Sequence, residues 1–245
     1  MKKIGAVAFA VVYLLRSILG HAEGEAFGDR LRETAPAADG KSIRYVLTLA
    51  NPVSPKFLVI LMPGGSGDVS PEMSDGRLVI QGADNFLIRS RAMFADSEIL
   101  AVSTDVAFDA ERIMDIANDV GKTYPHLKVY VIGTSRSTEA TMALAPDLDG
   151  KVAGFVHTSS MDGIAGFDTT KLKSRQLLVH HRQDGCKVTP YSSAAYNHDK
   201  YGTELITIEG GLSDGNPCKA RGYHGYNGIE NEVVGKIKDW IRKGE

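Results

Sequence analysis

The chain is poor in cysteine. Its 245 residues include two cysteines, Cys186 and Cys218, and no CxxC, HxH or HxxxH spacing accompanies them. Clustered thiolates and imidazoles are what zinc and haem sites require, so the pattern argues against a metal and no cofactor is expected. Basic residues are never massed into a run. With 28 Lys and Arg against 30 Asp and Glu the formal net charge is −2, which leaves no phosphate-backbone footprint, and nucleic acid is not an expected partner. Apolar runs are short as well. The run Ile4–Leu15 falls well below the ~20 residues of a spanning helix and Arg16 ends it, so no stable membrane span is expected. Internal repeats and low-complexity tracts are absent.

That first apolar run has a different use. Met1-Lys2-Lys3 is a basic n-region, Ile4–Leu15 has the length of a secretory h-region, and Leu19-Gly20-His21-Ala22 places small residues where a cut after Ala22 needs them. The expected address is the periplasm or the exterior, with a signal peptide at 1–22 and a single domain at 23–245. Removing Lys2, Lys3 and Arg16 from the 28 basic side chains leaves 25 against 30 acidic ones, about −5 for the mature chain. In an exported protein an isolated cysteine pair reads as a disulfide, here Cys186–Cys218.

Along the chain, Glu23–Lys41 shows no assignable element, and Ser42–Ala50 alternates as an early antiparallel strand. Phe57–Met62 is continuously apolar, as in a strand covered on both faces. Gly64–Asp84 is a long glycine-rich acidic stretch with no clear element, of the kind that covers or flanks a site. A helix is predicted over Asn85–Ala95, with Phe86, Leu87, Met93 and Phe94 in the core, then a strand at Glu98–Ser103. The helix Asp109–Val120 should bury Ile113, Ile116, Ala117 and Val120, with Gly121 capping it. Strands follow at Lys128–Ile132, Lys151–His157, Ser174–His181 and Thr203–Ile208. The helices between them end at Pro146 or open at Thr189-Pro190 with Thr189 as cap. A last helix starts at Asn227, with Glu230 completing a capping box, and carries Lys236, Lys238, Arg242 and Lys243 toward its negative end.

Lys128–Ala145 holds the most chemical information. A β-branched run turns sharply through Gly133-Thr134-Ser135-Arg136-Ser137 into a small-residue helix, the form of a nucleophile elbow. Ser137 stands where the usual pentapeptide has glycine, and serine is small enough to be tolerated there. Reactive groups of open parallel sheets collect at the carboxyl ends of strands, and Ser135, Asp184 and His224 lie at such ends in that chain order. This constellation resembles the α/β-hydrolase superfamily over nearly the whole mature chain, and LLVHHRQDGCKVTP and DGNPCKARGYHGYNGIENEVVGKIKDWI are similar to stretches of small exported bacterial members.

The resemblance implies an α/β fold, a mostly parallel central sheet flanked by helices on both faces, without a large cap. It also implies roles. Ser135 would be the nucleophile, His224 the base that takes its proton, and Asp184 the carboxylate that fixes the imidazole tautomer. The N–H of Arg136 and one from Gly64 or Gly65 would form the oxyanion hole. The residues themselves leave alternatives open. Ser135 could cap a helix, Asp162 could be the acid, and His180, His181 or His198 the base. Asp105 and His157 are at most pocket lining. Arg136 could attract an anionic acyl group or point into solvent.

The expected activity is hydrolysis of a carboxylic ester, less readily an amide or peptide, with a small-molecule or surface-presented acyl substrate of short chain. The rival is a catalytically inactive binding module, kept in play by Ser137. A cysteine nucleophile fails on position, because neither cysteine occupies an elbow.

Overall fold

The structure, a computed structural model, describes residues 28–36 and 40–244. The signal peptide expected at 1–22, with its cut after Ala22, lies outside the described residues. The elements run β1 Gly28–Glu33, β2 Arg44–Leu49, β3 Phe57–Met62, β4 Glu72–Ser74, β5 Arg77–Val79, α1 Phe86–Arg89, α2 Arg91–Phe94, β6 Ile99–Ser103 and α3 Ala110–Gly121. They continue with β7 Lys128–Thr134, α4 Ser137–Asp147, β8 Gly154–Thr158, β9 Arg175–His181, α5 Tyr191–Tyr201, β10 Glu204–Ile208 and α6 Glu230–Arg242.

Eight strands form one sheet in the order β1-β2-β6-β3-β7-β8-β9-β10. β1 and β2 join antiparallel, as do β2 and β6, and all later neighbours are parallel. The apolar run of β3 explains its central place. Phe57, Val59 and Leu61 pack on one face with α6 residues Val233, Ile237 and Trp240. Leu58, Ile60 and Met62 pack on the other with Ile113, Ile116 and Val120 of α3 and Ala140 and Leu144 of α4. All six β3 side chains are fully buried, which is why no polar residue interrupts the run. β10, on the edge, keeps the half-buried pattern that its alternation predicts.

Several local expectations are corrected. The lead segment carries the edge strand β1, and Gly64–Asp84 contains the hairpin β4–β5. The helix expected over Asn85–Ala95 is two single turns divided at Ser90, and Met93 is 38% exposed rather than in the core. Gly121 is the last helical residue rather than the cap, which falls at Lys122. The α4 helix includes Pro146 and ends at Asp147. Neither of the two side-chain caps expected late in the chain forms. α5 opens after Pro190 with no side-chain cap, and α6 opens after Ile229, while the Asn227 amide donates to the Arg221 carbonyl. Among the described residues no helix is long and apolar enough to cross a membrane, and no group of three or more His, Cys, Asp or Glu side chains could hold a metal ion.

Candidate active site

At the carboxyl end of the sheet β7 passes into α4 through Ser135 and Arg136. Ser135 is left-handed, with φ +55°, a conformation a non-glycine residue keeps only where its surroundings over-determine it, at a cost of order 1–3 kcal/mol. The surroundings do so. Ser135 N donates to Thr158 O of β8 at 2.9 Å, and the Ser135 carbonyl accepts from Thr138 N at 2.9 Å and Thr138 Oγ1 at 2.6 Å. Gly64 crosses directly against this turn, where a Cβ would lie 2.6 Å from Thr134 O and 2.9 Å from Ser135 Cβ. A larger residue at 64 would displace the turn.

Ser137 does more than fit. Its buried hydroxyl accepts from Thr134 N at 2.7 Å and donates to Met62 O at 2.7 Å, with Thr134 O a second acceptor at 2.9 Å, bridging the ends of β7 and β3 beneath the turn. The off-pattern residue is therefore part of the support for Ser135. Arg136 is exposed at the start of α4, and its side chain points to solvent rather than into the cleft.

A cleft of about 250 Å³ opens beside Ser135, lined among others by Gly64, Gly65, Asn85, Phe86, Lys219 and His224. Among the described residues no carboxylate lines it, and none of residues 67–81 reaches it, so the β4–β5 hairpin stands beside the cleft and not over it.

His224 sits in a single 3₁₀ turn, Tyr223–Gly225, that is gripped along its length. The Tyr223 ring stacks on His181 at 4.4 Å. The His224 carbonyl accepts from Ser159 Oγ at 2.7 Å, and the carbonyls of Ala220 and Gly225 accept from Arg89 Nη2. Arg89 also donates to Asp84 O and is paired with Glu230 at 2.9 Å, so one guanidinium ties the two walls of the cleft together. Behind the turn, Tyr226 donates its hydroxyl to Val179 O at 2.7 Å and accepts from Ser159 N at 3.0 Å; burial raises its pKa.

The imidazole meets the acid predicted for it. His224 Nδ1 donates to Asp184 Oδ2 at 2.8 Å, and the Asp184 side chain is fully buried. With Nδ1 committed to the carboxylate, the neutral ring carries its lone pair on Nε2, the nitrogen a general base uses. Burial pushes the Asp184 pKa up, but donation from His180 and His224, the His224 charge and the Cys186 N–H outweigh it and hold the carboxyl well below its ordinary range. Cys186 N donates to Asp184 Oδ1 at 2.9 Å, and Cys186 is bonded to Cys218 across a separation of 32 residues. The bridge joins the acid loop to the cleft wall, where Cys218 lies next to Lys219.

Among the alternatives, His180 Nε2 lies 3.4 Å from Asp184 Oδ2 and does not line the cleft, and the others have different surroundings. Asp162 is exposed at the start of a 3₁₀ turn. His181 uses both ring nitrogens, toward Gly210 O and Gln183 N, and His198 Nδ1 faces Thr203 O. His157 is not pocket lining. It is fully buried between Thr141 Oγ1 and Gln176 Oε1, and desolvation lowers its pKa to about 4 despite the glutamine. Asp105 accepts from Val69 N and Ser70 N, away from the cleft.

Thr189 does not form the helix cap that its local pattern predicts. Its side chain instead lies 3.2 Å from both Asp184 Oδ2 and His224 Nδ1. The only signal in the sequence was its proximity to Asp184, five residues earlier. Arg89 and Ser159 had no signal, since their partners are remote in the chain.

This sheet order, elbow and site position define the α/β-hydrolase fold. No protein-family model and no curated protein matches the sequence. Solved structures do. Est1E from Butyrivibrio proteoclasticus is 14% identical with a TM-score of 0.59, covering 87% of this chain and 98% of its own, and it has also been solved with ferulic acid bound. A dienelactone hydrolase from Anabaena variabilis is 14% identical with a TM-score of 0.61, covering 89% and 98%. XC6422 from Xanthomonas campestris, an α/β serine hydrolase without lid, is 10% identical with a TM-score of 0.55, covering 85% and 94%. At these identities the likeness is one of fold.

Proposed function

We propose that this chain is a serine hydrolase that cleaves carboxylic esters through an acyl-enzyme. The observation that carries the reading is the strained Ser135 on the same cleft as His224, whose Nδ1 is held by the buried Asp184 at 2.8 Å. In the proposed reaction Ser135 Oγ adds to the ester carbonyl while His224 Nε2 takes its proton. The N–H groups of Arg136 and of Gly65 or Gly64 receive the negative charge of the tetrahedral oxygen. His224 then returns the proton to the departing alkoxide, leaving Ser135 acylated. A water molecule, deprotonated by the same imidazole, repeats the sequence and releases the acid.

The small cleft and the lack of a covering hairpin favour short or surface-presented acyl groups over long lipids. Hydrolase names among the fold relatives agree with the chemistry, and the cystine agrees with export of residues 23–245, as one domain, after removal of 1–22. The inactive-module reading loses its motive, because Ser137 supports the elbow through two hydrogen bonds. The test is a panel of p-nitrophenyl esters from acetate to palmitate with a feruloyl ester beside them, using wild type and Ser135→Ala. Acetate and butyrate should be cleaved fastest and Ser135→Ala should be inactive. Turnover that survives in Ser135→Ala contradicts the mechanism, and faster cleavage of palmitate contradicts the chain-length preference.

A further inference from the structure

We propose that Thr189 is a positioning residue that holds the Asp184 carboxylate in register with the His224 imidazole, and that His180 anchors it. The inference rests on the serine-hydrolase reading but concerns a residue outside its three-residue relay. Thr189 is fully buried, and its hydroxyl is equidistant from Asp184 Oδ2 and His224 Nδ1 at 3.2 Å. Since Nδ1–H already points at Oδ2, the hydroxyl proton has one ionised acceptor to go to, the same carboxylate oxygen. The hydroxyl oxygen is then left as a second, longer acceptor beside Nδ1–H. Thr189 thus closes a three-membered ring of hydrogen bonds around the contact that sets the imidazole's orientation.

The threonine is itself fixed. His180 Nε2 lies 3.0 Å from Thr189 O and 3.4 Å from Asp184 Oδ2, both acceptors, so the ring donates from Nε2. Among the described residues its Nδ1 is buried without a partner, so Nε2 is the ring nitrogen that joins the network. Thr189 N donates to Cys186 O at 3.1 Å, tying the residue to the disulfide-bearing loop. A fully buried histidine on β9 that takes no part in proton transfer thereby acquires a use.

The consequence is electrostatic as well as geometric. A hydroxyl that donates to Oδ2 takes part of the negative charge facing the imidazole, so removing it alters the field at the ring as well as its orientation. The titratable and charged groups around the pair are Asp184 itself, His180 and His181 on β9, Tyr223 and Tyr226 on and behind the turn, Arg89 with its partner Glu230, and Lys219 on the cleft wall. Of these, Asp184 alone loses a side-chain contact when Thr189 is replaced.

The experiment is an NMR titration of the His224 ring protons in wild type, Thr189→Val and Thr189→Ser, which needs no turnover, alongside pH profiles of kcat/KM on p-nitrophenyl acetate. Thr189→Val should displace the His224 ring-proton resonances and the acid limb of the profile from those of wild type. It should lower kcat/KM about tenfold through kcat, with KM little changed, and Thr189→Ser should restore both. Should Thr189→Val fold poorly, Thr189→Ala is titrated in its place. Resonances and an acid limb that stay with wild type, or a serine variant that behaves like valine, overturn the proposal. Absence of turnover in wild type would refute the hydrolase reading while leaving the titration to decide this one.

Discussion

Replacing Ser137 by alanine should unseat the turn that carries Ser135. The Ser137 hydroxyl accepts from Thr134 N and donates to Met62 O, both at 2.7 Å, in a fully enclosed position between β3 and β7. Alanine keeps the Cβ, so little room opens for a water to replace the hydroxyl. A buried N–H or C=O left without a partner costs roughly 1–3 kcal/mol. Two such groups, partly relieved by local relaxation, give an expected loss of about 2–4 kcal/mol. For a domain of this size that is about 5–15 °C in Tm. Glycine, the residue most often found at this place in the elbow, should also destabilise, but less at the hydrogen bonds, because the vacated volume can admit water. Urea denaturation at pH 7 and thermal melting measure the change. A Ser137→Ala protein as stable as wild type would refute the claim that the hydroxyl bridges the two strands, and a more stable Ser137→Gly would show that the serine is merely tolerated.

Other outcomes follow from the same geometry. Reducing the Cys186–Cys218 bridge, or replacing both cysteines by serine, releases a loop of 32 residues' separation and should cost on the order of 3–4 kcal/mol in the chain-entropy account. Activity should fall before global unfolding, as Asp184 Oδ1 is bound by Cys186 N; equal sensitivity of activity and melting to reductant would contradict that order. Burial holds His157 at about 4 when folded, against 6.5 for the free side chain, so the unfolded chain takes up the proton first as pH falls. Stability from this residue is complete above about pH 6.5 and declines toward pH 4, by on the order of 3 kcal/mol. Urea titrations between pH 7 and 4.5 should show a steeper decline for wild type than for His157→Asn, while parallel slopes would contradict the assignment. The depressed carboxylates Asp96, Asp119, Asp149 and Asp184 lose their contributions as pH falls from the ordinary carboxylate range through their lower folded values, below this window.

How much was legible depended on whether a residue's partners were its neighbours in sequence. Phe57–Met62 could be read to the residue because a strand covered on both faces needs an unbroken apolar run, and Ile113, Ile116, Ala117 and Val120 because one helix face repeats locally. The elbow showed through its strand, turn and helix. Local patterns failed where a polar side chain had a choice. Asn227 and Thr189 both suit a helix cap, yet Asn227 donates to Arg221 O and Thr189 turns toward Asp184 and His224. β1 was missed because only its pairing with β2 makes it a strand, and Arg89 because its acceptors at 220 and 225 are more than 130 residues away. Ser137 looks like a tolerated departure from the usual pentapeptide, since nothing nearby in sequence reveals its hydrogen bond to Met62 O.

Labelling with a fluorophosphonate bears most directly on the central claim, that Ser135 is an activated nucleophile served by His224 and Asp184. Intact-mass and peptide analysis of folded wild type should show one phosphonyl adduct, on Ser135. Labelling should be lost in Ser135→Ala and slowed at least a hundredfold in His224→Ala, since the imidazole base is removed. A folded wild-type protein that takes up no label, or that is labelled at another residue, would contradict it.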